Sequence, residues 1–204
     1  MSYSVKKVFF RDYLFNVWGN VYEPAEDSFL FAENLTLEKG EGVLDMGTGC
    51  GILGIVAADK ASRVVAVDIN PYAVRCAKEN ARLNGVANKM FLIQGDLFAP
   101  IKAGEKFDVI LFNTPYLPID LSEGQNWIEK AWAGGTNGRA VLDRFLNDFP
   151  VYLKDDGRVL LMQSTLANVD KTLKIFAAKG FKTRVVAKRD LPFFETIMLI
   201  EAKH

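Results

Sequence analysis

The sequence predicts an α/β domain built on a mainly parallel sheet, and three observations lead there. From Val43 onward, short apolar runs alternate with longer segments of helical period, the mark of repeated strand–helix–strand units. The runs are apolar at nearly every position instead of alternating, as strands covered on both faces are. A glycine-rich turn, Asp45-Met46-Gly47-Thr48-Gly49-Cys50-Gly51, follows the first run, at the point where a strand would pass into a helix.

Residues 1–40 form a distinct opening section, with Val8–Phe10 and Leu14–Val17 as a small hairpin and then a helix starting near Pro24. Proline at a first helical position, with Glu26 and Asp27 in the first turn, suits the unpaired amides and positive dipole of a helix start. Residues 41–204 carry the strands Val43–Met46, Val64–Val67, Met90–Ile93, Val109–Phe112, Val159–Met162, Val185–Ala187 and Thr196–Ile200. Three apolar stripes at helical spacing lie between them: Ala73, Ala77 and Ala81; Val141, Leu142, Phe145, Leu146 and Phe149; Leu166, Val169, Leu173 and Phe176. Each stripe is expected to face the sheet. No linker or repeat interrupts the chain, so the whole, 1–204, reads as one domain. The long insertion from Leu117 to Gly138 reads as a lid or binding loop.

The rare residues exclude whole classes of chemistry. The single histidine is His204 and the cysteines are Cys50 and Cys76, too few for a histidine-based triad, a zinc cluster or a disulfide framework; no metal is expected. The 25 basic residues are balanced by 25 acidic ones, which argues against a strong grip on nucleic acid. No run approaches the ~18 apolar residues of a membrane span, and the start, MSYSVKKVFFRDY, is charged where a signal peptide is apolar. A cytoplasmic protein with no membrane contact is expected.

The glycine turn is read together with its acids. Asp68 ends the second strand and Asp96, with Leu97 beside it, follows the third. A carboxylate at the end of the second strand is placed to accept from both ribose hydroxyls of an adenosine; Asp96 suits an adenine amine, with Leu97 and Phe98 flanking the ring. Gly49-Cys50-Gly51-Ile52-Leu53-Gly54 also fits a dinucleotide fingerprint. Register decides against it, because the glycine that directly follows the strand is Gly47, and counting from there puts Ile52 at the third glycine position. Asp45 would repel a pyrophosphate and suits a ligand with a free amino group. S-adenosylmethionine, with its sulfonium, is such a ligand, and S-adenosylhomocysteine would be the product.

At the end of the fourth strand stands Asn113-Thr114-Pro115-Tyr116. Ligands of open α/β sheets bind beyond the carboxyl ends of the strands, so these residues are expected beside the cofactor. They suit methylation of a planar NH₂. Its lone pair is delocalised, as the ~18–20 kcal/mol barrier about an amide bond shows, so the site must supply hydrogen-bond acceptors and alignment, not a strong base. The Asn113 carboxamide and the Thr114 carbonyl are such acceptors, Pro115 biases residue 114 towards extended backbone, and Tyr116 can cover a planar group.

These motifs, with Tyr22-Glu23-Pro24-Ala25-Glu26-Asp27-Ser28, Asp68-Ile69-Asn70-Pro71 and Ala131-Trp132-Ala133-Gly134-Gly135-Thr136-Asn137-Gly138-Arg139, resemble the HemK-type class I S-adenosylmethionine-dependent methyltransferases, in the short branch shared by archaea and eukaryotes. The resemblance implies a Rossmann-like, mostly parallel seven-stranded sheet in the order 3-2-1-4-5-7-6 with the last strand antiparallel. It implies methylation of the glutamine amide in the Gly-Gly-Gln loop of a peptide-chain release factor. It implies a cofactor site lined by Tyr22, Ser28, Asp45, Gly47, Gly49, Asp68, Ile69, Asp96, Leu97 and Asn113, with Asn113 also holding the target nitrogen. It further implies a small zinc-binding activator, for which the edge strand Met90–Ile93, apolar on both faces, offers a docking place. The family tetrapeptide is Asn-Pro-Pro-Tyr, so Thr114 departs from it; the loss of a fixed φ, worth ~0.4–1 kcal/mol of preorganisation, predicts an active but slower enzyme.

Two other functions fit the tetrapeptide: N-methylation of an adenine or guanine amine in RNA or DNA, and an inactive cofactor-binding subunit. Some residues stay open on the sequence alone. Trp127 and Trp132 read as packing anchors or as walls of a substrate groove, Arg139 as a partner's carboxylate ligand or a cap of its own loop, and Lys188-Arg189 as a solvated turn.

Overall fold

The computed structural model describes residues 5–119 and 126–204; the part of the predicted lid at 120–125 lies outside them. The chain opens on a two-stranded antiparallel hairpin, β1 (Val5–Phe10) and β2 (Tyr13–Trp18), followed by helix α1 (Glu26–Glu33). The helix starts two residues after Pro24, with Ala25 at the N-cap position and no side-chain cap, so the proline precedes the helix and does not occupy its first position. Asp27 and Ser28 are thereby buried on its first turn.

The main sheet has seven strands: β3 (Gly42–Met46), β4 (Arg63–Asp68), β5 (Met90–Gln94), β6 (Phe107–Asn113), β7 (Leu153–Ser164), β8 (Lys182–Asp190) and β9 (Thr196–Lys203). Their order is β5-β4-β3-β6-β7-β9-β8, the predicted arrangement, and β9 pairs antiparallel with both neighbours. Helices α2 (Ile52–Ala57) and α3 (Pro71–Leu83) connect the first strands; α4 (Trp127–Trp132), α5 (Ala140–Asp148) and α6 (Val169–Ala178) follow β6 and β7. Alternate residues of each strand point to opposite faces, and two cores result. Val43, Val64, Val109, Leu111 and Met162 face the hairpin, α1, α2 and α3. Leu44, Val67, Ile110, Phe112 and Leu161 face α5, α6 and a group of stacked phenylalanines.

Two local expectations are corrected. Leu166 lies in a 3-10 turn before α6 and is 44% exposed, while Thr172 and Phe176 are the buried positions of that helix. Asn168 supplies the α6 cap, so the periodic stripe began one element too early. Lys188 and Arg189 belong to β8, which extends well beyond the predicted Val185–Ala187.

One buried amide joins the hairpin to the cofactor-side turn. Asn80 of α3 is fully buried; its Oδ1 accepts from Asn16 N at 2.8 Å, and its Nδ2 donates to Asn16 O at 3.0 Å and Cys50 O at 2.8 Å. Truncation leaves those backbone groups unpaired in a dry setting. Asn80→Ala is therefore expected to lower folding stability by about 2 kcal/mol or more, read as a reduced urea midpoint; a midpoint shift worth under ~0.5 kcal/mol, the size of an ordinary surface change, would show that this amide does not couple the two elements.

Candidate active site

The carboxyl ends of β3, β4 and β6 surround a cavity of about 360 Å³, within the size range of small-ligand sites. The turn after β3 forms its floor. Gly51 starts α2 at φ 92°, and a Cβ there would lie 3.1 Å from that of Ala77. Gly49 has φ 58° and nothing within 4 Å of the position a Cβ would take, which leaves open space against the backbone for a ligand.

Of the predicted site residues, all but Asp45 line this cavity: Tyr22, Ser28, Gly47, Gly49, Asp68, Ile69, Asp96, Leu97 and the 113–116 tetrapeptide. Asp45 lies behind the turn, fully buried, where its Oδ2 accepts from Thr48 Oγ1 at 2.6 Å and Gly54 N at 3.0 Å while Oδ1 has no partner. It organises the turn from beneath. Gly54 is required for that approach, since a Cβ would come 2.9 Å from Asp45 Oδ2.

Asp68 is held by its own loop, accepting from Gly49 N and Asn70 N, both at 2.9 Å; burial raises its pKa against those bonds. Asp96 pairs with Arg144 at 2.7 Å across the cavity rim. Leu97 is buried in the left-handed region at φ 46°, a strained conformation for a branched side chain worth ~1–3 kcal/mol, and strain of that kind concentrates where ligands bind.

The reacting end is organised by a residue absent from the predicted set. Asp27, 6% exposed, accepts through Oδ1 from Ser28 N at 2.6 Å, Ser28 Oγ at 3.1 Å and Tyr22 OH at 3.2 Å. Its Oδ2 accepts from Asn113 Nδ2 at 3.1 Å and, at 3.5 Å, from Tyr116 OH. Asn113 Nδ2 also donates to Ser28 Oγ at 3.3 Å. The opposite orientation of the Asn113 amide would set its oxygen against a carboxylate, so Asp27 fixes which end faces which way. The consequence is an Oδ1 of Asn113 that is buried with no hydrogen-bond partner. Burial, with Asp27 as the second cause, holds the Tyr22 and Tyr116 phenols well above their ordinary pKa, so both stay protonated and neither is a base. The sequence signal for Asp27 was there in the Tyr22–Ser28 motif, but read as a helix start it gave no role to one acid over its neighbour.

The tetrapeptide is rigid. Thr114 is buried, and its Oγ1 donates to Met162 O of β7 at 2.8 Å. No peptide bond among the described residues is cis, Thr114–Pro115 included. Loop 133–139 presses on the same segment: Gly134 N donates to Leu117 O at 2.8 Å, and a Cβ on Gly134 would meet Pro115 O at 2.5 Å. Arg139 neither caps its own loop nor is free for a partner's carboxylate; it ties the start of α5 to the turn before α6. Its guanidinium is buried, donating to Ala167 O, Asn168 O, Thr172 Oγ1 and Asp143. Trp127 and Trp132 flank α4, half-buried, and both line the cavity.

The fold and the site define a Rossmann-like methyltransferase, and the comparisons agree. The family model for ribosomal protein L11 methyltransferase (PrmA) matches residues 28–119. A putative protein N5-glutamine methyltransferase of Methanocaldococcus jannaschii is 46% identical, over 89% of this chain and 91% of its own. The methyltransferase HEMK2 of Homo sapiens is 36% identical, over 84% and 85%. Among solved structures, that of the E. cuniculi Mtq2–Trm112 complex, responsible for methylation of the eRF1 translation termination factor, superposes with a TM-score of 0.71 at 26% identity, covering 90% of this chain and 98% of the other. The chain belongs to the HemK-type protein N5-glutamine methyltransferase family.

The buried Asp45 predicts a pH dependence. Burial is the first cause raising its pKa, from 3.8 to about 6, against the Thr48 and Gly54 bonds that lower it. The folded state thus keeps a proton that the unfolded chain has released, and this residue's contribution to stability falls between about pH 4 and pH 6, by on the order of 2–3 kcal/mol, then levels off. Relative to Asp45→Asn, the wild type is expected to lose stability over that window in urea titrations; a constant difference from pH 4 to 7 would show that Asp45 has an ordinary pKa.

Proposed function

We propose that this protein transfers a methyl group from S-adenosylmethionine to the side-chain amide nitrogen of the glutamine in the Gly-Gly-Gln loop of a peptide-chain release factor. The observation that carries the reading is Asn113, which lines the cavity, has its carboxamide oriented by Asp27 and keeps an Oδ1 without a partner. A buried acceptor without a donor is costly unless a ligand supplies one, and an NH₂ group supplies it.

The cavity suits the cofactor. Its acids, Asp27, Asp68 and the underlying Asp45, favour a ligand with an ammonium and a sulfonium, and the space at Gly49 admits close backbone approach. Asp68 would accept from the ribose hydroxyls, with Ile69 beside it; Asp96 and Leu97 would border the adenine; Tyr22, Ser28 and the Gly47–Gly49 turn would surround the amino-acid end. When bound, the cofactor supplies an electrophilic methyl group on sulfur. Asn113 Oδ1 and the Thr114 carbonyl would hold the two hydrogens of the target NH₂, leaving its nitrogen directed at that methyl, while Tyr116 covers the plane of the amide. The proton displaced from the methylated nitrogen would pass to solvent, so no side-chain base is needed. Alignment of this kind can supply effective molarities on the order of 10⁵ M or more.

A small activator protein is proposed to dock on β5. This strand is a sheet edge with Phe91 53% exposed on it, and unpaired edges of that kind accept a strand from another chain. With a release factor as its substrate, the enzyme is proposed to act in the cytoplasm. No helix of the described residues is long and apolar enough to cross a membrane.

With labelled cofactor, label is expected on wild-type release factor and not on a variant with the loop glutamine replaced. Asn113→Ala and Asp27→Asn should each lower transfer at least 100-fold, the size of effect seen when a positioned hydrogen-bond group is removed from a reacting centre, with cofactor affinity retained within a few fold in Asn113→Ala; label on RNA or DNA instead, or full activity of Asp27→Asn, would overturn the reading. Phe91→Asp should abolish co-purification with the activator while leaving the fold intact; unchanged co-purification would place the partner elsewhere.

A further inference from the structure

The hairpin joining β8 to β9 stands at the same end of the sheet as the tetrapeptide, because β9 runs antiparallel and begins where β7 ends, with Ile197 opposite Ser164. At its tip are Phe193 and Phe194, both at φ 63° and exposed to 95% and 103%. Next among the exposed large apolar side chains of the described residues comes Phe9 at 69%. A tip this apolar is built, not frayed: Leu191 N donates to Glu195 O at 2.8 Å and closes the turn, and Thr196 N donates to Thr165 Oγ1 at 3.0 Å.

Two features connect the tip to the catalytic cavity. A groove of about 730 Å³ adjoins the cavity; Tyr22 and Trp132 line both, and Arg189, on the same hairpin as the two rings, lines the groove. Glu195, directly after the rings, has a buried Oε1 with no partner and lies close enough for its charge to act on Tyr116. A surface of exposed aromatic rings beside a groove that adjoins the site fits a macromolecular substrate, whose flanking surface must cross this rim when one side chain enters the cavity. A small acceptor would reach none of it.

We infer that Phe193 and Phe194 form a docking prong that enters an apolar recess of the acceptor protein next to its methylated loop, with the groove receiving the chain that flanks the loop. The inference rests on the release-factor reading given above. It is tested with the double variant Phe193→Ser/Phe194→Ser, whose changed side chains are in solvent, so its thermal midpoint and its cofactor affinity by calorimetry should match the wild type. With intact release factor as substrate, KM is expected to rise at least tenfold and kcat to stay within twofold. A KM within twofold of wild type overturns the prong, as does a fall in kcat at constant KM, which would put the rings at the chemistry. Concentration-dependent dimers in sedimentation that the variant abolishes would assign the rings to a second copy of the chain and overturn it too. If the wild type binds cofactor but labels no release factor, the substrate reading falls and the prong with it; a wild type that labels it beside a variant of unchanged KM removes the prong alone.

Discussion

The hydrogen bond from Asn113 Nδ2 to the buried Asp27 carboxylate is the constraint on which the site depends. Carboxamides are ambiguous groups, able to present either end, and a methyl acceptor held by its hydrogens needs the oxygen end. Asp27 removes the ambiguity electrostatically. Its other oxygen is occupied by Ser28 and Tyr22, so the carboxylate itself cannot turn. The link also crosses 86 residues of sequence, so the opening helix lines the same cavity as the tetrapeptide and is not an appendage to the sheet.

Placing α1 for that purpose requires the opening section to be fixed to the rest. The hairpin does this through the Asn80 amide and through Phe10, Phe15 and Val17, which enter the same core as β3 and β6. Asn80 also reaches Cys50 in the glycine turn, so the two halves of the cavity wall share one buried hub. Two residues lining the cavity are ones that folding alone would not select: Asn113, with its partnerless oxygen, and the left-handed Leu97. Each is costly in the free protein.

The sheet was legible because its strands are uniformly apolar and its helices periodic, signals that depend on local sequence alone. The order and the antiparallel last strand came from the family resemblance, which topology then bore out. What escaped was non-local. No pattern distinguishes Asp27 from Glu26, yet one is buried against residue 113 and the other is exposed. Asp45 was expected to face the ligand because it stands at a strand end, but its position on β3 turns it beneath the loop. Arg139 resolved only when β7 and α6 brought three acceptors around it.

Thr114 illustrates how one feature can be replaced by another of different kind. Proline would fix φ by covalent geometry; threonine gives that up, and the sequence alone predicts looser positioning. In the fold, its hydroxyl is bound to the Met162 carbonyl on the adjacent strand, a buried hydrogen bond worth about 1 kcal/mol, comparable to the ~0.4–1 kcal/mol of the lost restraint. The Gly134 backbone, close against Pro115 O and bonded to Leu117 O, adds further restraint from the other side. Residue 114 is therefore held by tertiary contacts where the family holds it by a ring.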